Sequence, residues 1–141
     1  MTLNKVLYTA TATAEGGREG RTATDDGRLD VTVSVPRELG GPGEGTNPEQ
    51  LFATGVAACF HSALTLVARK ARTDVTGSSV TAKVGIGPAS GGVGYGLQVD
   101  LTVSLPGVER ETAVHLVKQA DTVCPFSNAV RGNVAVTHDV V

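Results

Sequence analysis

The feature that most constrains this chain is a stretch of 18 residues, 51–68, that contains no Asp, Glu, Lys or Arg. A helix that is apolar on every side either spans a membrane or lies in a protein core. Thr54, His61, Ser62 and Thr65 interrupt the stretch, and much of its apolar character comes from alanine. The rest of the chain supplies one-faced strands that need a cover. We therefore predict a buried central helix rather than a membrane span.

The residues before this stretch predict where the helix begins. Asn47 can cap the helix with its side-chain oxygen. Pro48 at the first helical position gives up only an N–H that would have no helical partner. Gln50 follows the cap by three residues, as in a capping box. We expect the helix to continue to about Ala71.

Short strands surround this helix in the sequence. Alternation of apolar and polar residues is strongest from Leu97 to Leu105, which predicts a strand with one buried face. Gly- and Pro-rich segments over 36–46 and 87–96 are predicted to be irregular loops. The predicted strands cover residues 5–13, 21–24, 29–33, 80–86, 97–105 and 134–140.

A second helix is predicted from about Glu109, with apolar positions at helical spacing. Pro125 ends this helix and can open a short third one that stops at Gly132. The order is therefore β-β-β-α-β-β-α-β, in which strands occur in runs. Such an order predicts an α+β fold, with the long helix buried against antiparallel sheets. Neither a repeat nor a linker is visible, so we expect a single domain over residues 1–141.

Composition excludes several classes of function. Twelve Lys and Arg against 14 Asp and Glu give a net charge of −2, and no basic run argues for nucleic acid. Aromatic residues are only 4% of the chain, so base-stacking surfaces are not expected either. The N-terminus lacks a secretory pattern, and two cysteines are too few for a secreted disulfide framework. A cytoplasmic location is expected.

Metal binding is not predicted from the three histidines, His61, His115 and His138. The one close pair with a possible ligand, Cys59 and His61, lies two residues apart on a helix and points to different faces. From composition alone, Cys59 and Cys124 are best interpreted as buried small apolar side chains. The helix break at Cys124 favours a thiolate, however, because a helix start stabilises negative charge. Since 65 positions separate the cysteines, only the fold can bring them together.

Several strings, in order along nearly the whole chain, resemble the organic hydroperoxide resistance (Ohr) proteins of the Ohr/OsmC family. The two cysteine-containing strings are specific when they occur together. Two positions depart from the expected pattern: His61 stands where an aliphatic residue is expected, and Phe126 stands where Tyr is expected. The strings are YTATAT (8–13), GREG (17–20), PRELGG (36–41), TNPEQLFA (46–53), ACF (58–60), VCPFSNA (123–129) and RGN (131–133).

This resemblance implies a cytoplasmic, thiol-dependent peroxidase that reduces organic hydroperoxides and forms an intertwined homodimer. It implies no bound cofactor, and recycling by a lipoyl dithiol, either dihydrolipoamide or a lipoylated protein. By motif match, Cys59 is the peroxidatic cysteine and Cys124 is the resolving cysteine, which would form a disulfide with it. Arg18 and Glu49 match the supporting positions.

Two other functions remain open from the sequence. One is a peroxidase of the osmotically inducible branch of the same family, with looser substrate choice. The other is a non-catalytic carrier of apolar ligands built on the same dimer. A carrier would bind its ligand stoichiometrically, without consuming peroxide or dithiol, and its cysteines would stay unlinked.

Helix geometry constrains how Glu49 could act on Cys59. The two residues are ten positions apart on the predicted helix, which places them about 15 Å apart along its axis and about 80° apart around it. A Glu side chain cannot bridge that separation. We therefore predict a homodimer in which Glu49 of one chain supports Cys59 of the other.

Overall fold

The computed structural model describes residues 1–141, and its elements follow the predicted order. The strands are β1 (Ala12–Glu15), β2 (Gly20–Thr24), β3 (Asp30–Val33), β4 (Ser79–Pro88), β5 (Tyr95–Ser104) and β6 (Ala135–Val140). The helices are α1 (Pro48–Lys70), α2 (Arg110–Val123) and α3 (Pro125–Val130). The predicted α+β class and the predicted short third helix are confirmed.

The chain divides into two compact units, Met1–Leu51 and Phe52–Val141, and the boundary falls within the first turn of α1. In the first unit, β1, β2 and β3 form an antiparallel sheet in that order. The turn between β1 and β2 requires glycine, because Gly16 has a positive φ of 77° and a Cβ there would lie 2.8 Å from the Glu19 carbonyl oxygen. That turn carries Arg18.

The first strand is shorter than predicted, and the predicted bounds of residues 5–13 are wrong. The ladder between β1 and β2 begins at the pair Ala12 and Thr24, and a bond from the Asp25 N–H to the Thr11 carbonyl closes it at 3.0 Å. Earlier residues have no strand of this chain to pair with, and they are exposed. Alternation alone could not reveal this, since it reports a residue's preference and not the presence of a partner.

The predicted loop over 36–46 contains one regular turn. Arg37–Leu39 form a single turn of 3-10 helix, closed by a bond from the Leu39 N–H to the Pro36 carbonyl at 3.0 Å. The expectation of a wholly irregular loop is therefore wrong for these three residues.

Helix α1 begins as predicted and ends one residue before the predicted end. The Gln50 N–H donates to Asn47 Oδ1 at 2.9 Å, which is the expected cap. By length and composition alone α1 could cross a membrane, but one third of its apolar window is buried inside the fold. Its buried face carries Val56, Phe60, Ala63, Leu64, Val67 and Ala68. Its exposed face carries Thr54, Ala58, Ser62, Leu66 and Arg69.

The second sheet, in the order β4-β5-β6, is mixed rather than wholly antiparallel. Strands β4 and β5 form an antiparallel hairpin, whereas β5 and β6 are parallel, with Gln98 opposite Ala135. This departure follows from the connection, since α2 and α3 lie between β5 and β6 and return the chain to the same end of the sheet. The alternation predicted for β5 is confirmed, because Val99, Leu101 and Val103 are buried.

The core of the second unit is built from α1, β5 and α2. Helix α2 contributes Ala113, Leu116, Val117 and Ala120, which are buried against the apolar face of α1 and against β5. At the end of α2 the helical spacing allows either Val123 or Cys124 to face inward, and Val123 is 44% exposed. Cys124 follows it and is fully buried in the same core.

Candidate active site

Cys59 lies near the middle of α1, at the edge of its buried face. The side chain is partly buried and packs against the core of the second unit. One turn earlier on the helix, Gly55 leaves room for the ring of Phe126, since a Cβ at Gly55 would lie 3.0 Å from Phe126 Cε2. The helix thus holds the thiol on a rigid element, with an aromatic side chain close to the preceding turn.

Cys124 lies in the break between α2 and α3, where Pro125 prevents the helix from continuing. Its backbone is extended, with φ −69° and ψ 120°. The Cys124 N–H donates to the Ala120 carbonyl at 2.9 Å, and the Cys124 carbonyl accepts from the Asn128 N–H at 3.0 Å. The residue is therefore held by the helices on both sides while its own backbone is not helical.

The fold brings the two thiols into contact. The Sγ atoms of Cys124 and Cys59 are 3.7 Å apart and are not linked. Burial raises the pKa of the Cys59 thiol, and the Cys124 thiol adds to the increase, whereas a hydrogen bond from the backbone N–H of Phe126 opposes it. Burial therefore disfavours the thiolate of Cys59, and a positive charge close to the sulfur would favour it.

A small apolar cavity lies in the same unit as the thiols. Its wall includes Val56, one turn before Cys59, and Phe126, two residues after Cys124. The rings of Phe52 and Phe126 pack there at a tilt of 41°, with centroids 6.4 Å apart. The remaining lining is mostly aliphatic and comes from β5, α3 and β6. The lining is apolar, but with a volume of about 10 Å³ the cavity is a packing gap and not a space that holds a substrate group.

Arg18 and Glu49 form a bidentate ion pair within the first unit. Arg18 Nη1 donates to Glu49 Oε2 at 2.9 Å, and Nη2 donates to Oε1 at 2.7 Å. The hydrogen bonds from Arg18 hold the pKa of the Glu49 carboxyl below its usual value, and the same pairing raises the pKa of Arg18. The Glu49 side chain is 13% exposed and that of Arg18 is 40% exposed. The guanidinium is thus oriented by its partner while part of it stays accessible.

Comparison with known proteins agrees with this pattern of residues. The OsmC family, described as OsmC-like proteins, matches residues 41–139. The chain is 52% identical over 135 residues to the organic hydroperoxide resistance protein of Xanthomonas axonopodis pv. citri, with 94% of each chain covered. It is 45% identical over 143 residues to the organic hydroperoxide resistance protein OhrA of Bacillus subtilis, with 98% of this chain and 99% of that protein covered.

The chain belongs to the Ohr proteins of the OsmC family. The resemblance inferred from the motifs is thereby confirmed. Among solved structures, an organic hydroperoxide resistance protein from Elizabethkingia anophelis superposes with a TM-score of 0.91 and 49% identity. That alignment covers 96% of this chain and 97% of the other.

One departure from the Ohr pattern, His61, is directed to a polar partner. Its Nε2 lies 3.0 Å from the Ser78 hydroxyl oxygen, in the segment between α1 and β4. His61 is not among the residues that line the apolar cavity, whereas the other departure, Phe126, is. Phe126 is therefore the departure that changes the cavity, because it supplies a ring without a hydroxyl group.

Sequence reasoning missed a polar cluster beside Cys124. Asp121, Asn128, Arg131 and His138 are joined by hydrogen bonds and ion pairs. In the sequence the only sign of this cluster is Pro125. A proline after a helix leaves one helix carbonyl without its usual N–H partner, so another donor is needed there. The structure contains no group of three or more His, Cys, Asp or Glu side chains arranged to hold a metal ion.

Proposed function

We propose that this chain is a thiol-dependent peroxidase that reduces organic hydroperoxides to alcohols. Its relatives are named for organic hydroperoxide resistance, and we extend that role to this chain. The observation that carries the proposal is the contact between Cys59 and Cys124, whose sulfur atoms lie 3.7 Å apart at the end of an apolar core. Two thiols at this distance suit a reaction in which one is oxidised and the other resolves it.

The reaction proceeds in three steps. The Cys59 thiolate attacks the terminal peroxide oxygen, the O–O bond breaks, and the alkoxide takes up a proton and leaves as the alcohol. Cys59 is then a sulfenic acid, and Cys124 attacks its sulfur, so that an S–S bond forms and the hydroxyl leaves as water. An external dithiol reduces this disulfide by exchange and becomes a disulfide itself. We propose a lipoyl dithiol for that step. A cytoplasmic location, as expected from the sequence, is part of the same proposal.

Arg18 is proposed to supply the positive charge that Cys59 needs. Its guanidinium is always charged and has five N–H donors, two of which are taken by Glu49. The others remain for the thiolate and the peroxide oxygen. Glu49 orients the guanidinium through its two oxygen atoms, and an oriented donor fork loses less entropy on binding than a free side chain. The alternative role of the pair is a surface ion pair, which would contribute little to stability.

We propose further that Arg18 and Glu49 act on Cys59 of a second chain in a homodimer. Helix geometry separates Glu49 from the Cys59 of its own helix by about 15 Å along the axis. Helix α1 also has an exposed face without Asp or Glu, formed by Thr54, Ala58, Ser62, Leu66 and Arg69. A second copy of α1, packed antiparallel on this face, would bury it and would bring each ion pair towards the other chain's thiol.

A coupled assay tests the proposed activity. With dihydrolipoamide as reductant, we expect the purified protein to consume cumene hydroperoxide much faster than hydrogen peroxide, because the side chains packed around the two thiols are apolar and favour contact with an aryl group. The measurement is the loss of peroxide and of dithiol over many turnovers. Stoichiometric binding without consumption would instead identify a carrier. Equal rates with both peroxides would point to the looser specificity of the osmotically inducible branch.

Subunit complementation tests the shared site. Cys59→Ser and Glu49→Ala chains are each expected to be inactive, whereas their heterodimer is expected to regain up to about half of the wild-type activity, because one of its two sites is complete. The two chains carry different affinity tags, so that only verified heterodimers are assayed. The matched control pairs Cys59→Ser with Cys124→Ser, two changes that leave no complete site if both cysteines come from one chain. No recovery in verified heterodimers would contradict the shared site.

A further inference from the structure

Pro125 leaves one carbonyl of α2 without its helical hydrogen bond. In a continuous helix the N–H of residue 125 would donate to the carbonyl of Asp121, but proline has no N–H. Arg131, the residue that follows α3, provides the replacement. Its Nη2 donates to the Asp121 carbonyl at 2.7 Å and to Asp121 Oδ2 at 3.0 Å. One side chain thus spans the break that contains Cys124.

Three more contacts join this bridge to its surroundings, and they involve Asn128, His138 and Ser127. Arg131 Nη1 donates to Asn128 Oδ1 in α3. His138 Nε2, from β6, lies 3.2 Å from Asp121 Oδ1. Although burial raises it, hydrogen bonds from Arg131 and Ser127 hold the pKa of the Asp121 carboxyl below its usual value, so the carboxylate is charged when it meets its partners. We call Asp121, Asn128, Arg131 and His138 the Arg131 clamp.

The clamp also reaches the helix that carries the other thiol. The His138 ring packs on Phe60, with ring centroids 5.4 Å apart, and Phe60 is the fully buried neighbour of Cys59 on α1. The clamp therefore contacts the elements on both sides of the thiol pair. Its ion pairs are partly exposed, with 48% of the Arg131 side chain accessible, so its contribution to stability is small.

We propose that Arg131 is a positioning residue that holds Cys124 within reach of the Cys59 sulfenic acid. The sulfur atoms are 3.7 Å apart, and a disulfide needs about 2.05 Å, so they must approach by about 1.7 Å. Cys59 lies within a helix of 23 residues, whereas Cys124 lies in a break of one residue. The segment that contains Cys124 therefore has to move to close the gap. The Arg131 clamp sets the position of that segment before it moves.

This inference rests on the proposed peroxidase cycle, in which two reactions compete for the sulfenic acid. In the first, the Cys124 sulfur attacks the Cys59 sulfur, the S–O bond breaks, and the hydroxyl leaves as water with the thiol proton. In the second, another hydroperoxide transfers an oxygen atom to the sulfenic acid, which becomes sulfinic acid while the alcohol leaves. A displaced Cys124 slows only the first reaction, so loss of the clamp increases over-oxidation.

The test compares Arg131→Gln with wild type and with Arg131→Lys. Each protein is treated with increasing amounts of cumene hydroperoxide without dithiol, and intact mass separates the disulfide from the sulfinic acid. We expect Arg131→Gln to raise the ratio of sulfinic acid to disulfide by about tenfold, because small misplacements of a reacting group slow a reaction strongly. Arg131→Lys, which keeps the charge but loses the donor fork, is expected to fall between the two.

The matched control is Arg21→Gln. Arg21 forms a bidentate pair with Asp30 between β2 and β3, so this variant loses a pair of the same chemistry away from the cysteines. Its ratio is expected to equal that of wild type. An unchanged ratio in folded Arg131→Gln would overturn the inference. If that variant does not fold, Asn128→Ala removes one contact of the clamp, and an unchanged ratio there would overturn it equally. Failure of the peroxidase proposal is visible separately, because wild type itself would then form no disulfide.

Discussion

Replacing Cys59 by serine is expected to abolish turnover of organic hydroperoxides. A serine hydroxyl does not ionise near neutral pH, so no anion is available to attack the peroxide oxygen, and no sulfenic acid can form. The substitution changes one atom in a partly buried position on α1, and the fold should persist. The measurement is the coupled assay with cumene hydroperoxide and dihydrolipoamide, and we expect no rate above the uncatalysed background.

Ala57→Ser is the matched control for this variant. It adds a hydroxyl group to the same helix two residues earlier, at a partly buried position, and leaves both thiols in place. This variant is expected to keep most of the wild-type activity. Turnover by Cys59→Ser at a rate near that of wild type would remove Cys59 from the mechanism, and Cys124 would then be the candidate nucleophile.

Replacing Cys124 by serine is expected to stop the enzyme after a single oxidation. Cys59 should still react with the hydroperoxide, but its sulfenic acid then has no thiol beside it and advances to sulfinic acid. Without dithiol, intact mass should show the gain of one and then of two oxygen atoms. The loss of two hydrogen atoms that marks a disulfide should not appear.

The kinetic consequence separates resolution from the first oxidation. Cys124→Ser should release up to about two equivalents of alcohol per chain, one for the sulfenic and one for the sulfinic acid, and then stop, whereas wild type continues while dithiol remains. Sustained turnover by Cys124→Ser at the wild-type rate would contradict a resolving role, since it would mean that the external dithiol reduces the sulfenic acid directly. The 3.7 Å contact between the sulfur atoms would then be a packing contact only.

Features set by local chemistry were predictable from the sequence. The start of α1 follows from Asn47 and Pro48, because capping and the missing proline N–H act within one turn. The break at Pro125 follows for the same reason. The buried face of β5 follows from its strict alternation. The motifs likewise made Cys59 and Cys124 candidate site residues, and their contact depends on the fold of the second unit.

Features set by distant partners were not predictable. The first strand is short because residues 5–11 find no partner strand in this chain, which no local pattern reports. Strands β5 and β6 are parallel because two helices intervene between them. The Arg131 clamp joins residues of α2, α3 and β6, and only the folded chain brings Asp121, Arg131 and His138 together.

The long apolar stretch illustrates both what the sequence can predict and what it cannot. Its lack of charge correctly predicts a central helix that packs on a sheet, because an apolar face must be covered. Within one chain, however, only one face of α1 is buried, and residues such as Ala58, Ser62 and Leu66 remain exposed. The composition therefore describes a helix with more apolar surface than one chain covers, which agrees with the proposed homodimer.

The central claim is that Cys59 and Cys124 form one redox pair, and a single measurement tests it most directly. Reduced wild-type protein is treated with one equivalent of cumene hydroperoxide in the absence of dithiol, and its intact mass and tryptic peptides are recorded. We expect the loss of two hydrogen atoms and a cross-linked peptide pair that contains Cys59 and Cys124, both restored by dihydrolipoamide. An unchanged mass, or the gain of oxygen without a cross-link, would contradict the claim.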